Sequence, residues 1–218
     1  MRAEQSSPLT SMVQTIQARK VDLDNLTEHF KVEVVQDLSF FPEWQNVPTE
    51  ITELEQQFLD KVRQGYWNLI QHPPLLEKAV QVAILGPLLF LANFYLPPFH
   101  IQAEKSIEIT AQDEDVIVRG QLDILLLKER FWAMAIESKE AAFSFEAGLA
   151  QLLTYMLANP QSERPSFGLI SSGGSFVFVK LVRGEVNRYG LSKIFELRNP
   201  GNDLYDVYPI LKHIADIS

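Results

Sequence analysis

Apolar residues at helical spacing mark a long helix in the first half of the chain. From residue 51 to residue 69 they recur every three or four positions, which is the spacing of one helix face. Thr52, followed three residues later by Glu55, is typical of a capping box at a helix start. The two prolines at 73–74 would end the helix, because proline offers no backbone N–H and clashes with the preceding turn. The pattern predicts a helix of roughly five turns.

A second, strongly apolar helix is predicted from residue 75. Glu77 would lie in its first turn, where exposed backbone amides favour a carboxylate. Pro87 is expected to kink the helix or end it. Residues 79–99 are almost continuously apolar and nearly long enough to span a bilayer, but the polar residues and prolines within them favour a helix buried in protein. No membrane association is expected.

Strand patterns follow this helix. Runs rich in β-branched and apolar residues, separated by short polar breaks, predict three successive strands. A helix opened by a capping Ser144 comes next, then a hairpin around a glycine turn and a final helix. This succession predicts an α/β sandwich with a central mixed sheet flanked by helices. The predicted strands cover 101–110, 116–127, 131–137, 167–171 and 176–182, and the two helices cover 144–158 and 203–217.

The first part of the chain has weaker patterns. A helix is predicted over residues 9–19 and a short strand over residues 31–35, and the remainder is expected to be loosely structured. With 218 residues, 46% of them hydrophobic, the chain has apolar material for one sizeable core. We therefore predict an N-terminal extension of residues 1–47 before one domain of residues 48–218.

Composition narrows the chemistry. The chain has no cysteine, which excludes disulfides and thiolate metal sites and fits a reducing compartment. Residues 1–7 lack the apolar core of a secretory signal, so a cytoplasmic location is expected. The four histidines lie far apart in sequence and form none of the close pairs of zinc motifs. A metal ion would therefore rest on carboxylates, which suits a hard cation.

The charge of the chain bears on nucleic-acid binding in two ways. A net charge of −9 disfavours a strong binder, because neutralisation of phosphates by Lys and Arg supplies most non-specific affinity. The segment 180–198 is nevertheless locally basic and is a candidate surface for nucleic acid, although such residues are more often solvated charges.

The candidate chemistry lies on the second and third predicted strands. Glu137 and Lys139 are two residues apart, so they point to the same side of a continuous strand. Asp123 joins them only in one register. A three-residue loop centred on Arg130 places Asp123 opposite Glu137, whereas a two-residue loop shifts the pairing by one and faces them apart. The sequence leaves both registers open.

Two carboxylates and a lysine in one pocket have the composition of a metal-binding catalytic site. Like charges in a poorly solvated pocket raise each other's pKa unless a cation lies between them. Mg²⁺ prefers hard oxygen ligands and keeps several waters, one of which can attack a phosphate. Lys139 could orient that water and offset phosphate charge. The set therefore has the composition for phosphodiester hydrolysis.

Three ordered motifs carry a family resemblance: Gly120-x-x-Asp123, Glu137-x-Lys139 and Gln151-x-x-x-Tyr155. They resemble the motifs of PD-(D/E)xK nucleases, in particular RecB-type domains and the N-terminal nuclease domain of type I restriction motor subunits. The resemblance covers residues 75–182, and it departs from the pattern at Leu122, where proline is common, and at Ser138, where a small or apolar residue is more usual.

The resemblance implies a restriction-endonuclease-like fold and an Mg²⁺-dependent nuclease, with Mn²⁺ as a substitute ion and DNA as the expected substrate. It implies that Asp123 and Glu137 are metal ligands with Glu77 near the ion, and that Lys139 is the catalytic lysine. Gln151 and Tyr155 would support the site or contact the nucleic-acid backbone. A homodimer and partner subunits of a restriction system are possible associations.

Other interpretations remain open. The chain could keep the nuclease fold without activity and serve as a nucleic-acid-binding or protein-assembly module, which its acidic charge favours. It could also be a scaffold in which Asp123 and Glu137 are hairpin residues paired with nearby lysines. Glu77 is already explained by the helix dipole.

Overall fold

The structure is a computed structural model, and it describes residues 14–45, 47–48, 50–73, 76–111, 116–139 and 144–218. Within these residues the strands are β1 (Gln14–Gln17), β2 (Val32–Val34), β3 (Phe99–Thr110), β4 (Val116–Lys128), β5 (Phe131–Lys139), β6 (Ser166–Ser172), β7 (Ser175–Val182), β8 (Asn187–Leu191) and β9 (Phe195–Glu196). The helices are α1 (Leu23–Phe30), α2 (Glu53–Ile70), α3 (Glu77–Val80), α4 (Gly86–Leu91), α5 (Phe145–Leu157) and α6 (Leu204–Ile217).

The described strands form one mixed sheet. Its order is β1-β4-β5-β6-β7-β8-β2, with β3 paired to β4 and β9 paired to β7. The pairs β1/β4, β5/β6 and β2/β8 are parallel and the others are antiparallel. The parallel β5/β6 pair is joined through α5, as a crossover between parallel strands requires. The architecture confirms the predicted α/β sandwich, in which a central mixed sheet is flanked by helices.

Two apolar clusters hold the layers together. The first joins the sheet to α2, α4 and α6, with Leu59, Leu88 and Leu211 fully buried. The second joins the sheet to α1 and α5, with Leu26 and Leu152 fully buried. Since each cluster removes one face of the sheet from water, β5 and β6 lie between two helical layers.

The long helix confirms its prediction. Thr52 and Glu55 form the capping box: the Glu55 N–H donates to Thr52 Oγ1 at 3.3 Å, and the Thr52 N–H donates to Glu55 Oε2 at 2.7 Å. The helix ends at Ile70, before the prolines. The reciprocal bonds satisfy two of the amides that a helix start leaves exposed.

The second helix passes through Pro87 rather than ending there. A π-helical turn, Gln81–Leu85, connects α3 to α4, and the Gly86 N–H donates to the carbonyl of Gln81 five residues back. Pro87 lies at the start of α4, where its missing N–H is tolerated. The wider turn gives the proline ring room that a regular α-helix would deny. The described residues contain no helix that is both long enough and apolar enough to cross a bilayer.

The first described residues depart from their prediction. The helix predicted over 9–19 is wrong from residue 14 onward, where β1 and a short 3₁₀ turn, Ala18–Lys20, stand instead; residues 9–13 lie outside the described residues. β1 pairs with β4, an interaction between distant segments that local pattern does not reveal. The strand predicted over 31–35 is confirmed as β2. The boundary after residue 47 stays a prediction, and described segments on both sides of it contribute strands to the same sheet.

Candidate active site

The β4–β5 hairpin brings Asp123 opposite Glu137 by a route the sequence did not specify. Its turn has two residues, Glu129 and Arg130, since Lys128 pairs with Phe131. That turn alone would face Asp123 and Glu137 apart. A β-bulge adds one residue to β5 between Trp132 and Met134, and the register then runs Leu126 with Met134 and Ile124 with Ile136. The next position along each strand is Asp123 and Glu137, so the bulge produces the register of the longer loop.

The strand is also distorted at Asp123 itself. Pairing of β3 with β4 skips from Ala103–Ile124 to Lys105–Leu122, and Glu104, the residue that would face Asp123, has a φ of 54°. A left-handed conformation is uncommon for glutamate and marks a local irregularity. In a regular strand, Leu122 and Leu125 would point to opposite faces of the sheet, because they are three residues apart. In β4 both pack into the second apolar cluster. Asp123 therefore lies between two parts of β4 that turn alternate side chains to opposite faces of the sheet.

The sheet opens beside this distortion. β3 lines one edge of β4 for most of its length, and the other edge pairs with β1 over residues 116–119 and with β5 over residues 124–128. Between them, residues 120–123 have no strand partner on that edge within the described residues. The Gln121 carbonyl accepts a hydrogen bond from the Tyr155 hydroxyl at 2.9 Å, and Asp123 Oδ2 accepts one from the Ser138 N–H at 2.7 Å. In this opening, hydrogen bonds that involve side chains thus stand in place of the backbone hydrogen bonds that a neighbouring strand would make.

Glu137 is the most buried ionisable group of the site. Its side chain is 1% exposed, and Lys139 Nζ lies 2.5 Å from its Oε1. Its other oxygen, Oε2, is buried and has no hydrogen-bond partner within the described chain. Burial, and then the negative charge of Asp123, raise the pKa of Glu137 from 4.5 to about 8, against the opposing charge of Lys139. The carboxylate therefore holds an unsatisfied acceptor site in a setting that disfavours its charge.

Asp123 is half-buried and experiences a similar environment. Burial raises the pKa of Asp123, while the Ser138 N–H bond and the charge of Lys139 act in the opposite direction. Two exposed residues nearby also act on it: Lys78 lowers the pKa and Glu104 raises it. Those two form a loose ion pair at 3.9 Å. Sequence reasoning missed both, because their proximity follows from the approach of α3 to the distorted strand, which no local motif signals.

Gln151 and Tyr155 lie on α5 one turn apart and act as a unit. Gln151 Nε2 donates to the Tyr155 hydroxyl at 2.8 Å, and this hydroxyl donates to the Gln121 carbonyl. Both side chains are buried, and Gln151 Oε1 has no partner among the described residues. Gly120 belongs to the same packing, because a Cβ there would lie 2.9 Å from the Tyr155 hydroxyl and 2.5 Å from the Ala18 Cβ. The pair anchors α5 to β4 just before Asp123.

Glu77 is at the start of α3, as predicted, and accepts a hydrogen bond from Gln81 Nε2 at 3.3 Å. Its charge contributes to the raised pKa of Glu137, as the weakest of the named causes. Among the described residues, no three side chains of the His, Asp and Glu types are placed together to hold an ion. The carboxylates brought together are Asp123 and Glu137, and a metal contact of Glu77 stays a prediction.

The basic segment 180–198 is largely engaged in internal contacts. Lys180 is nearly buried and lies 2.5 Å from Glu43 Oε1, and Arg183 donates to the Leu157 carbonyl at 2.9 Å. Lys193 pairs with Asp206 and Arg198 pairs with Glu196, while Arg188 is exposed on β8. Lys180 and Arg183 are held inside the fold by these contacts, so they offer little to a phosphate backbone.

Comparisons with known proteins do not identify the chain. No protein-family model matches it, and no curated protein matches it. Among solved structures, it is similar to one described as the cryo-EM structure of a DrdV–DNA complex, with a TM-score of 0.47 and 13% sequence identity. The match covers 72% of this chain and 14% of the other chain. A likeness of this size shows neither a family nor an activity.

Proposed function

We propose that this protein is a divalent-metal-dependent nuclease that hydrolyses phosphodiester bonds in DNA. The observation that carries the proposal is the second oxygen of Glu137, which is buried without a hydrogen-bond partner in the described chain beside another carboxylate. A buried acceptor left without a donor is costly, and so is the repulsion between two carboxylates. A bound cation removes both costs, which is the argument for a metal at this position.

The donors present fit Mg²⁺, with Mn²⁺ as a substitute. Asp123 and Glu137 offer hard carboxylate oxygens, and Mg²⁺ in phosphoryl-transfer sites commonly rests on one or two carboxylates together with waters and substrate phosphate. When bound, such an ion polarises a phosphate and lowers the pKa of a water. Glu77, on the first turn of α3, is retained as a further carboxylate at the edge of the site.

Lys139 is proposed to assist the reaction. Its ammonium lies 2.5 Å from Glu137 Oε1, so a proton donor and a positive charge are held beside the carboxylates. An ammonium carries three N–H donors and a positive charge, so a lysine beside the carboxylates can orient an attacking water or offset the charge on a phosphate. Its side chain is 12% exposed, which limits competing solvent.

Gln151 and Tyr155 are proposed as positioning residues. Through the Gln121 carbonyl they hold β4 two residues before Asp123, where the strand has no neighbour on one edge within the described residues. Restraining this segment keeps the Asp123 carboxylate opposite Glu137. A loose carboxylate would weaken the site, because pre-organised ligands lose less entropy on binding.

The test is a cleavage assay with an independent measurement of metal binding. Single-stranded, linear duplex and supercoiled DNA, and RNA, are incubated with the protein in Mg²⁺ and then Mn²⁺. Lys139→Ala is assayed in parallel with Lys61→Ala, which changes an exposed lysine on α2. We expect cleavage of DNA by the wild type and by Lys61→Ala, and none by Lys139→Ala. Calorimetric titration should show Mg²⁺ binding that survives Lys139→Ala and is lost in Glu137→Ala.

The assay also separates the proposal from its main alternative. Cleavage that persists in Lys139→Ala would remove the catalytic assignment of that residue. Nucleic-acid binding without cleavage in either ion would favour a nuclease fold that serves as a binding module. RNA cleaved in preference to DNA would correct the substrate and leave the site intact.

A further inference from the structure

We infer that a groove next to the carboxylates binds one strand of nucleic acid through its phosphates, with Arg19 and Arg119 as the contacting residues. The inference deepens the proposed function, because the strand would be the one that reaches Asp123 and Glu137. The groove has a volume of about 670 Å³ and is open to solvent. Its walls come from the 3₁₀ turn after β1, from β3 and β4, and from α5.

The groove leads to the candidate active site through shared residues. Gln121 lines it and is two residues from Asp123 on β4. Gln151 and Tyr155, which anchor that strand, form another part of the wall. A chain lying in the groove would therefore meet the carboxylates where β4 lacks a neighbouring strand in the described structure.

The charges of the groove favour an anion, in contrast to the chain as a whole. Two arginines and one acid, Glu108, line it, so its lining is positive while the protein carries a net charge of −9. Arg19 is exposed and makes no ion pair within the described residues. Local charge of this kind attracts a polyanion even when the total charge opposes it.

Arg119 is held in a contact that a phosphate can replace. Its Nε lies 2.5 Å from Glu108 Oε2, and the two side chains are 55% and 52% exposed. Exposed ion pairs contribute little to stability, so exchanging the carboxylate for a phosphate costs little. A guanidinium has five N–H donors in a planar fork that matches phosphate oxygens, and the contact to Glu108 uses only Nε.

A second observation points to a ligand in the groove. Gln151 is 6% exposed, and its Oε1 is buried without a donor from the described residues. An amide oxygen in this position seeks an N–H or O–H group. Gln151 lines the groove, and each of the four bases carries an N–H donor, so a nucleotide of any sequence whose phosphates lie at the arginines can supply one.

The size of the groove favours a single strand. Its volume lies in the range of pockets that hold small organic ligands, roughly 300–1,000 Å³, which leaves room for a short length of one strand. Contacts through phosphates would make binding insensitive to sequence and strongly dependent on salt. Those two properties are measurable.

The experiment measures binding by fluorescence anisotropy in EDTA, so that cleavage plays no part. Labelled single-stranded DNA of two unrelated sequences, duplex DNA and single-stranded RNA are titrated over a series of salt concentrations. We expect the two single-stranded DNAs to bind alike and more tightly than duplex. Arg19→Ala and Arg119→Ala should each weaken binding by about 3–10-fold and reduce the slope of log K against log salt by about 1.

Two further variants control the interpretation. Arg188→Ala changes an exposed arginine on β8, at the far side of the sheet from β1, and should bind like the wild type. Glu108→Gln removes the acid that occupies Arg119 and should tighten binding by about 2–5-fold. A purely structural role for these residues would not produce opposite effects from Arg119→Ala and Glu108→Gln.

Every outcome decides the inference. Equal affinities for the wild type, Arg19→Ala and Arg119→Ala, no binding of any strand, or tighter binding of duplex would overturn it. Equal binding of DNA and RNA supports phosphate recognition. Binding of only one of the two DNA sequences would contradict it. Binding at the groove without cleavage in Mg²⁺ would reject the nuclease activity and support the strand-binding groove. Cleavage by a protein whose affinity does not change in Arg19→Ala and Arg119→Ala would support the nuclease activity and reject the groove.

Discussion

Two lysine–glutamate pairs lie inside this protein, and they differ in what surrounds them. Lys139 and Glu137 meet on β5 at the candidate active site, and Lys180 of β7, two strands away, meets Glu43; in both pairs, Nζ lies 2.5 Å from Oε1. In both, the other glutamate oxygen is buried and has no hydrogen-bond partner in the described chain. Geometry of the pair alone therefore does not distinguish a functional site from a structural contact.

The neighbours distinguish them. Lys180 also donates to the Phe40 carbonyl at 2.9 Å, so its ammonium ties β7 to the segment before α2. Glu137 instead has a second carboxylate, Asp123, close enough to raise its pKa. It also lies beside an opening in the sheet and a groove. An ion pair that shares its pocket with another acid and has access to a ligand is the one with chemical use.

The largest expected effect is on catalysis, and it should appear at one pair only. Lys139→Ala should reduce DNA cleavage by about 100-fold or more, because a positioned proton donor contributes about 10²–10⁴-fold. Lys180→Ala should leave cleavage unchanged at a temperature where it remains folded. Initial rates in Mg²⁺ at such a temperature make the comparison, and equal losses in the two variants would abolish the distinction between the pairs.

The next effect is on stability, and it should be larger at the other pair. Lys180→Ala leaves Glu43 with a buried charge and no cation, which should lower the free energy of unfolding by about 3 kcal/mol. Lys139→Ala at pH 6 should cost less, because Glu137, with a pKa of about 8, is already protonated at that pH and is not left as an unpaired buried charge. Urea unfolding at pH 6 measures both. A larger loss in Lys139→Ala would make that pair the structural one.

A dependence on pH follows from Glu137. Its folded-state pKa of about 8 lies above 4.5, so the folded protein binds this proton more tightly than the unfolded chain does. The resulting stabilisation is complete below about pH 4.5 and is lost as pH rises through about 8. The metal-free protein should therefore melt at lower temperature at pH 8 than at pH 6.

Glu137→Gln provides the control for this pH dependence. The amide does not titrate, so the drop in melting temperature between pH 6 and pH 8 should be smaller in this variant than in the wild type. Thermal melts in EDTA make the measurement. Parallel curves for the two proteins would mean that other groups cause the dependence.

The smallest effect on stability should come from removing the charge of Asp123, the second carboxylate that only the Lys139–Glu137 pair has beside it. Asp123→Asn keeps an oxygen for the Ser138 N–H and removes the repulsion on Glu137, so the metal-free protein should gain about 0.5–1 kcal/mol of stability at pH 8. Added Mg²⁺ should then stabilise the wild type but not the variant. Urea titrations with and without Mg²⁺ test this, and a variant still stabilised by Mg²⁺ would place the ion elsewhere.

Local pattern was sufficient for much of the fold. The capping residues of α2, the strands β3 to β5 and the helix α5 follow from periodicity and end signals, which act within a few residues. It was insufficient for β1, whose partner is β4, a hundred residues away. At Pro87 it predicted a kink or an end; the helix does not end there, and the π-helical turn before the proline depends on packing around the helix.

The sequence by itself determined which residues could form a site, since Asp123 and Glu137 lie on neighbouring predicted strands and Lys139 follows Glu137 at the spacing that a shared face requires. Tertiary structure decided whether they meet. The two-residue turn would have separated the carboxylates, and the bulge near Ala133 restored their register. Its position depends on how Trp132 and Met134 pack against different layers, a balance of non-local contacts that the pattern of one strand does not contain.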